Sequence, residues 1–80
     1  MMTEFERLKS SYIATIQFGL IANVGPDEAK SGNELLHKFC ESLIDNSNYH
    51  DMDKTAMKHE LELLKETLAK EIECYYKRCD

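Results

Sequence analysis

The sequence predicts an all-α fold, a small three-helix bundle formed by a single domain over residues 1–80. Three observations support this prediction. Thr3 and Glu6 form the Thr-x-x-Glu capping-box pattern that opens a helix. Apolar residues then recur at spacings of three and four along three segments. The one extended stretch rich in turn-forming residues is 45–53.

The first helix is predicted to be the central, buried one. Residues 11–26, SYIATIQFGLIANVGP, carry no charge and place apolar side chains on nearly every helical face. A helix that is apolar all round must be covered on all sides. We expect it to end near Asn23 or Val24, because Gly25 suits the position after a helix and Pro26 cannot continue one.

The second helix has two predicted starting points. It can begin at Pro26, because proline suits the first position and the two acidic residues that follow suit the helix dipole. Alternatively, residues 26–30 form a short fourth turn and the helix starts at Gly32, because Ser31 and Glu34 form a second capping-box pattern. The second alternative is slightly favoured.

Apolar rows predict the buried faces of the second and third helices. In the second helix, which should end near residue 45, the predicted row is Leu35, Leu36, Phe39, Cys40, Leu43 and Ile44. The third helix should run from about Asp53 to about Cys79, with Asp51 or Asp53 as its cap. Its row is Met57, Leu61, Leu64, Leu68, Ile72, Tyr75 and Cys79. This long C-terminal helix should overhang the other two, and its apolar end should need cover.

Composition narrows the classes of partner and compartment. Fifteen acidic and ten basic residues give a net charge of −5, which disfavours direct nucleic-acid binding and anionic membranes because both need clustered Lys and Arg. The N-terminus lacks the pattern of a secretory signal. The three cysteines, an odd number without a framework spacing, are expected to be free thiols. We therefore expect a cytoplasmic protein that does not bind membranes.

No motif predicts an enzyme, a metal site or a cofactor. His37, Cys40 and Glu41 stand at i, i+3 and i+4 on the second helix, a spacing that could supply part of a zinc site. The further ligands would have to come from His50, His59 or Cys74. These have no signature spacing, and Cys40 lies in the apolar row, where a buried thiol is ordinary.

A regional charge imbalance predicts a partner surface. Residues 31–52 carry four acidic residues against Lys38, a net charge of −3, and the loop that follows the second helix contains an aromatic side chain. An acidic helix followed by an exposed aromatic anchor suits the capture of a basic protein. The predicted partner-binding residues are Glu34, Glu41, Asp45, Tyr49, His50 and Asp51.

Two functional hypotheses follow. The first is a non-enzymatic protein-interaction module, a small acidic inhibitor that binds a basic protein. In size, charge and helical content the chain is similar to the acidic immunity and anti-defence proteins of bacteria and phages. The alternative is a homodimeric transcriptional regulator or adaptor, similar to three-helix regulatory proteins of enterobacteria that act through protein contacts. Its predicted dimer interface comprises Leu64, Leu68, Ile72, Tyr75 and Tyr76.

Overall fold

A computed structural model describes residues 2–78, which form three helices: α1 (Glu4–Ile21), α2 (Pro26–Asp45) and α3 (Asp51–Arg78). The helices pack against each other as a small all-α bundle, so the predicted fold is confirmed. The molecule measures 46 × 23 × 15 Å along its principal axes. The 28 residues of α3, about 42 Å at 1.5 Å per residue, account for the long dimension.

The start of α1 is the predicted capping box. The backbone N–H of Thr3 donates to Glu6 Oε1 at 3.2 Å, and the backbone N–H of Glu6 donates to Thr3 Oγ1 at 3.1 Å. Two N–H groups that have no partner within the helix are thereby satisfied. The exchange fixes where α1 begins.

The end of α1 differs from the prediction. The helix ends at Ile21, and Asn23 adopts the left-handed conformation with φ 61°. The N–H groups of Asn23 and Val24 donate back to carbonyl oxygens in the last turn, at 3.1 and 3.2 Å. This pair of bonds is a Schellman motif. Asn23 therefore has the role predicted for Gly25, since asparagine also tolerates the left-handed region.

The second helix is continuous from Pro26, so the favoured start at Gly32 was wrong. Gly25 precedes Pro26 with φ 102°, a conformation that requires glycine. This geometry orients the chain so that proline occupies the first helical position. Ser31 and Glu34 consequently lie inside α2, where the backbone N–H groups are already bonded within the helix.

Within the described residues, the last turns of α3 cover the connection between α1 and α2. The Tyr76 hydroxyl accepts a hydrogen bond from the Gly25 N–H at 3.0 Å. The rings of Tyr75 and Tyr76 pack edge to face, with centroids 5.2 Å apart, and both are half-buried. The more exposed end of α3 is its first turn, where Met52 is almost fully accessible to solvent. Cys79 lies outside the described residues.

The hydrophobic core takes one row of side chains from each helix. Its buried apolar members are Tyr12, Ile16, Leu20, Ala29, Cys40, Ile44, Leu61, Leu68 and Ile72. In α3 the predicted row is confirmed, because its described members are all buried or half-buried. In α1, by contrast, Phe18 and Ile21 are largely exposed. The prediction that α1 is buried all round was wrong, because two neighbouring helices can cover only one side of it.

The core predicts a sharp contrast between two neighbouring leucines on α3. Leu61 is fully buried, whereas Leu63 is half exposed. We expect Leu61→Ala to lower the free energy of unfolding by about 2–5 kcal/mol, because it removes buried methyl groups and leaves a cavity. Leu63→Ala should change it by no more than about 0.5 kcal/mol. Urea unfolding followed by far-UV circular dichroism measures both, and equal losses would contradict the assigned core.

The capping box predicts how the pKa of Glu6 changes when Thr3 is replaced. The Thr3 backbone N–H, followed by the Thr3 hydroxyl, holds the pKa of Glu6 below its ordinary value. The stabilisation is therefore present above the unfolded-state pKa and is lost as the pH falls through the folded-state pKa. Thr3→Ala should raise the pKa of Glu6 part of the way, since the backbone N–H remains.

Carboxyl-carbon NMR titration measures this pKa. Thr15→Ala is the matched control, because the Thr15 hydroxyl bonds the Ser11 carbonyl in the same helix. An identical Glu6 titration in the wild type and Thr3→Ala would contradict the contribution assigned to the Thr3 hydroxyl.

Candidate protein-binding surface on α2

The apolar row predicted for α2 is only half inside the bundle. Cys40 and Ile44 are buried and Leu36 is half-buried. The other three members, Leu35, Phe39 and Leu43, are 67%, 60% and 45% exposed. These three residues, spaced at i, i+4 and i+8, are called the α2 stripe below. The sequence-based assignment of all six to the core was therefore wrong for the α2 stripe.

Two polar residues of α2 occupy core positions, whereas the α2 stripe lies outside the core. Asn33 is 2% exposed and His37 is 5% exposed. At about 100° per residue, the α2 stripe is centred roughly 120° around the helix from the buried row. Buried polar side chains and exposed large apolar ones are the informative exceptions to the usual distribution. Helix α2 has both.

Asn33 connects all three helices. The Tyr12 hydroxyl on α1 lies 2.9 Å from the backbone oxygen of Asn33 and also within hydrogen-bond distance of its Oδ1. The Asn33 Nδ2 group donates to the backbone oxygen of Lys65 on α3 at 3.0 Å. Burial, with smaller contributions from Cys40 and Glu62, raises the pKa of the Tyr12 hydroxyl, which therefore remains a donor. Tyr12, Asn33 and His37 are called the polar core cluster below.

His37 lies between two carboxylates. Its Nδ1 is 3.6 Å from Glu41 Oε1 on the same helix, and its Nε2 is 3.1 Å from Glu62 Oε2 on α3. Lys65 Nζ lies 3.6 Å from the other oxygen of Glu62. Although close to Glu62, the buried Nε2 is not aligned for a hydrogen bond with any atom of residues 2–78. This close contact joins α2 to α3.

The histidine does not form part of a metal centre within the described chain. Across residues 2–78 no three side chains of the His, Cys, Asp and Glu types come together in a metal-binding arrangement. Cys40 lies in the core, and burial raises the pKa of its thiol. This disfavours the thiolate that a zinc ion would need.

The acidic row predicted on α2 follows the boundary with α3. Glu41 is half-buried beside His37. Asp45 Oδ1 lies 2.8 Å from Lys58 Nζ, and this pairing raises the pKa of Lys58. The backbone oxygen of Asp45 also accepts from Lys54 Nζ at 3.0 Å. Two of the three acidic residues therefore already have partners within the chain, whereas Glu34 is exposed.

The other predicted partner-binding residues lie in or near the loop between α2 and α3. His50 and Asp51 are exposed, and Asp51 is the first residue of α3. The Tyr49 hydroxyl donates to Glu4 Oε2 at 2.9 Å, and this hydrogen bond raises the pKa of Tyr49. Tyr49 lines a groove of about 220 Å³ together with Phe5, Leu8, Leu43, Ser47 and Met57. Leu43 belongs to both surfaces, so the groove continues the α2 stripe.

The predicted dimer interface lies mostly inside the bundle. Leu68 and Ile72 are core residues, and Leu64, Tyr75 and Tyr76 are half-buried against the same core. Contact between two copies through the buried Leu68 and Ile72 would require the bundle to open, and the dimer itself stays a prediction. Four of the five, Leu64, Leu68, Ile72 and Tyr75, also belong to the row of α3 that the sequence predicted to be buried.

The α2 stripe was missed although the sequence contains a signal for it. Ala29, Asn33, His37, Cys40 and Ile44 recur at spacings of four and three. This second row competes with the apolar one, and it was not recognised as a core row because two of its members are polar.

Comparison with known protein families, curated proteins and solved structures finds no match for this chain. In the described part of the chain, none of the helices is both long enough and apolar enough to cross a membrane.

The polar core cluster predicts unequal effects of removing two tyrosine hydroxyls. The Tyr12 hydroxyl is buried and bonded to Asn33, whereas that of Tyr49 is bonded to Glu4 at the surface. We expect Tyr12→Phe to lower the free energy of unfolding by about 1–2 kcal/mol, because a buried acceptor loses its donor. The matched variant Tyr49→Phe should have a much smaller effect. Urea unfolding of both variants tests this, and the reverse order would contradict the assigned hydrogen bonds.

Proposed function

We propose that this chain is a non-enzymatic protein-binding module whose α2 stripe docks onto a basic protein partner. The observation that carries the proposal is the reversed polarity of α2, with Leu35 and Phe39 outside the bundle and Asn33 and His37 inside it. An exposed apolar row on a small protein is typical of an interaction surface. The role we propose is that of an inhibitor that covers a basic surface of its partner.

The charge of α2 supports a basic partner over a second copy of the chain. Residues 26–45 contain five acidic residues and two lysines, so the net charge of α2 is 2 − 5 = −3. Glu34 adjoins Leu35 at the start of the α2 stripe and is exposed. Pairing two copies through this face would bring two helices of charge −3 together. A partner rich in Lys and Arg gains attraction from the same charges.

The apolar contribution to binding is modest but sufficient for a transient complex. Full burial of an exposed Leu or Phe side chain contributes about 1.5–3 kcal/mol. The three side chains of the α2 stripe are already partly covered, so each supplies less than this. Charge attraction then mainly raises the association rate and selects the partner. We therefore expect binding to depend on both the α2 stripe and the ionic strength.

The test is capture from the native host's lysate with a matched pair of variants. Leu35→Ala/Phe39→Ala removes most of the α2 stripe, and Leu63→Ala removes an exposed leucine from α3. We expect a basic protein that is retained by the wild type and by Leu63→Ala, is released by salt, and binds the double variant at least about tenfold more weakly. Equal retention by the double variant would refute the proposed surface.

Sedimentation of the purified chain tests the alternative in which a second copy of the chain, and not a basic partner, binds the α2 stripe. We expect a monomer at the concentrations used for capture. A dimer that the double variant Leu35→Ala/Phe39→Ala converts to a monomer would assign the α2 stripe to self-association. The basic-partner proposal would then be abandoned.

A further inference from the structure

We infer that the polar core cluster determines which face of α2 points outward and thereby keeps the α2 stripe exposed. Two faces of this helix compete for the core. The buried one is Ala29, Asn33, His37, Cys40 and Ile44. The competing face, on which Leu36, Phe39 and Leu43 lie, is more apolar. Burial of apolar area alone would place the competing face inside.

A modest rotation separates the two arrangements. At about 100° per residue, turning α2 by roughly 80° about its axis would carry Phe39 and Leu43 into the bundle. His37 and the core residue Ile44 would leave it. Cys40 would remain inside, and Asn33 and Leu35 would come to the edges. The backbone hydrogen bonds of α2 would be unaffected, because they lie within the helix. The choice between the two faces therefore rests on side chains.

The contacts of Asn33 exist only in the observed orientation. Its side chain must lie between α1 and α3 to meet the Tyr12 hydroxyl and to donate to the Lys65 backbone oxygen. Rotation would leave the Tyr12 hydroxyl in the core without Asn33, and an unpaired buried hydroxyl is unfavourable. In coiled coils, a single buried polar residue fixes the helix register in the same way, because only one of several apolar arrangements satisfies its hydrogen bonds.

His37 adds a second contact that depends on the orientation. Its ring lies against Glu62 of α3 at 3.1 Å, beside Glu41 of its own helix at 3.6 Å. Rotation would carry it away from Glu62. Asn33 and His37 are thus positioning residues, which act on the surface by orienting α2. The consequence for partner binding rests on the proposed function, whereas the orientation itself is measured without a partner.

A single tryptophan reports the orientation. The chain contains no Trp, so Phe39→Trp introduces the only indole and places it on the α2 stripe. In this background, Asn33→Ala/His37→Ala removes the polar side-chain contacts, leaves the bond from Tyr12 to the backbone oxygen of residue 33, and does not make the present face strongly apolar. Asn33→Leu/His37→Leu removes the same contacts but makes that face apolar. The two pairs therefore predict opposite orientations of α2.

We expect the alanine pair to shift Trp emission to shorter wavelength and to reduce acrylamide quenching several-fold, because the indole introduced on the α2 stripe enters the bundle. The leucine pair should leave both signals as in the parent. Leu63→Trp, carrying the same alanine pair and native Phe39, is the control for general loosening and should not change. Far-UV circular dichroism establishes that each variant is helical. Unchanged quenching of the α2 indole in a folded alanine pair would overturn the inference.

Asn33→Ala alone is the second variant, in case the alanine pair does not fold. It removes the side-chain bonds of Asn33 to α1 and α3 while the Asn33 backbone oxygen and His37 stay, and we expect a smaller change of the same sign. Unfolding of both variants would also overturn the inference, because the competing face would then be unable to support the fold. Burial of the α2 indole without any loss of partner capture would refute the proposed function and leave the orientation inference standing.

Discussion

The hydrogen bonds of Asn33 are the constraint on which the arrangement of the three helices depends. One amide side chain meets a hydroxyl from α1 and a backbone carbonyl from α3 in the middle of the core. Apolar contacts in a small bundle are tolerant of sliding and rotation, because Leu, Ile and Cys fit against each other in many ways. Directional bonds between three elements are less tolerant. The core therefore has a single register although its apolar residues alone do not require one.

Because Asn33 fixes the orientation of α2, the charged and apolar residues of this helix lie on other faces than the sequence predicted. The acidic row that suggested a partner surface lies along α3, where Glu41 and Asp45 already meet His37 and Lys58. The apolar row that suggested a core lies in large part at the surface. In the proposed function, the α2 stripe supplies the apolar docking contact and the net negative charge acts at longer range. In many protein interfaces, charge likewise sets the association rate and the selectivity for the partner.

Features that depend on a single helix were predicted correctly from the sequence. The wrong predictions concern features that depend on how the three helices pack together. The Thr3–Glu6 capping box and the α3 row were correct because each depends on one helix and one apolar face. The start of α2 was misjudged because φ at Gly25 decides it, and sequence shows only that glycine permits such a value. The exposure of Phe18 follows from how few helices are present to cover it, and that of Phe39 from the side-chain contacts that orient α2. Periodicity within α2 shows two competing rows but does not decide which of them is buried.

The bond between Gly25 and Tyr76 joins residues that are 51 positions apart. Backbone amides in short connections usually exchange with solvent quickly, because local fluctuations expose them. The Gly25 amide is held by the end of α3, so it exchanges only when that end detaches. Its exchange rate in deuterated water therefore measures the docking of a distant helix. A cut in the loop between α2 and α3 would register at this amide, far from the break in sequence.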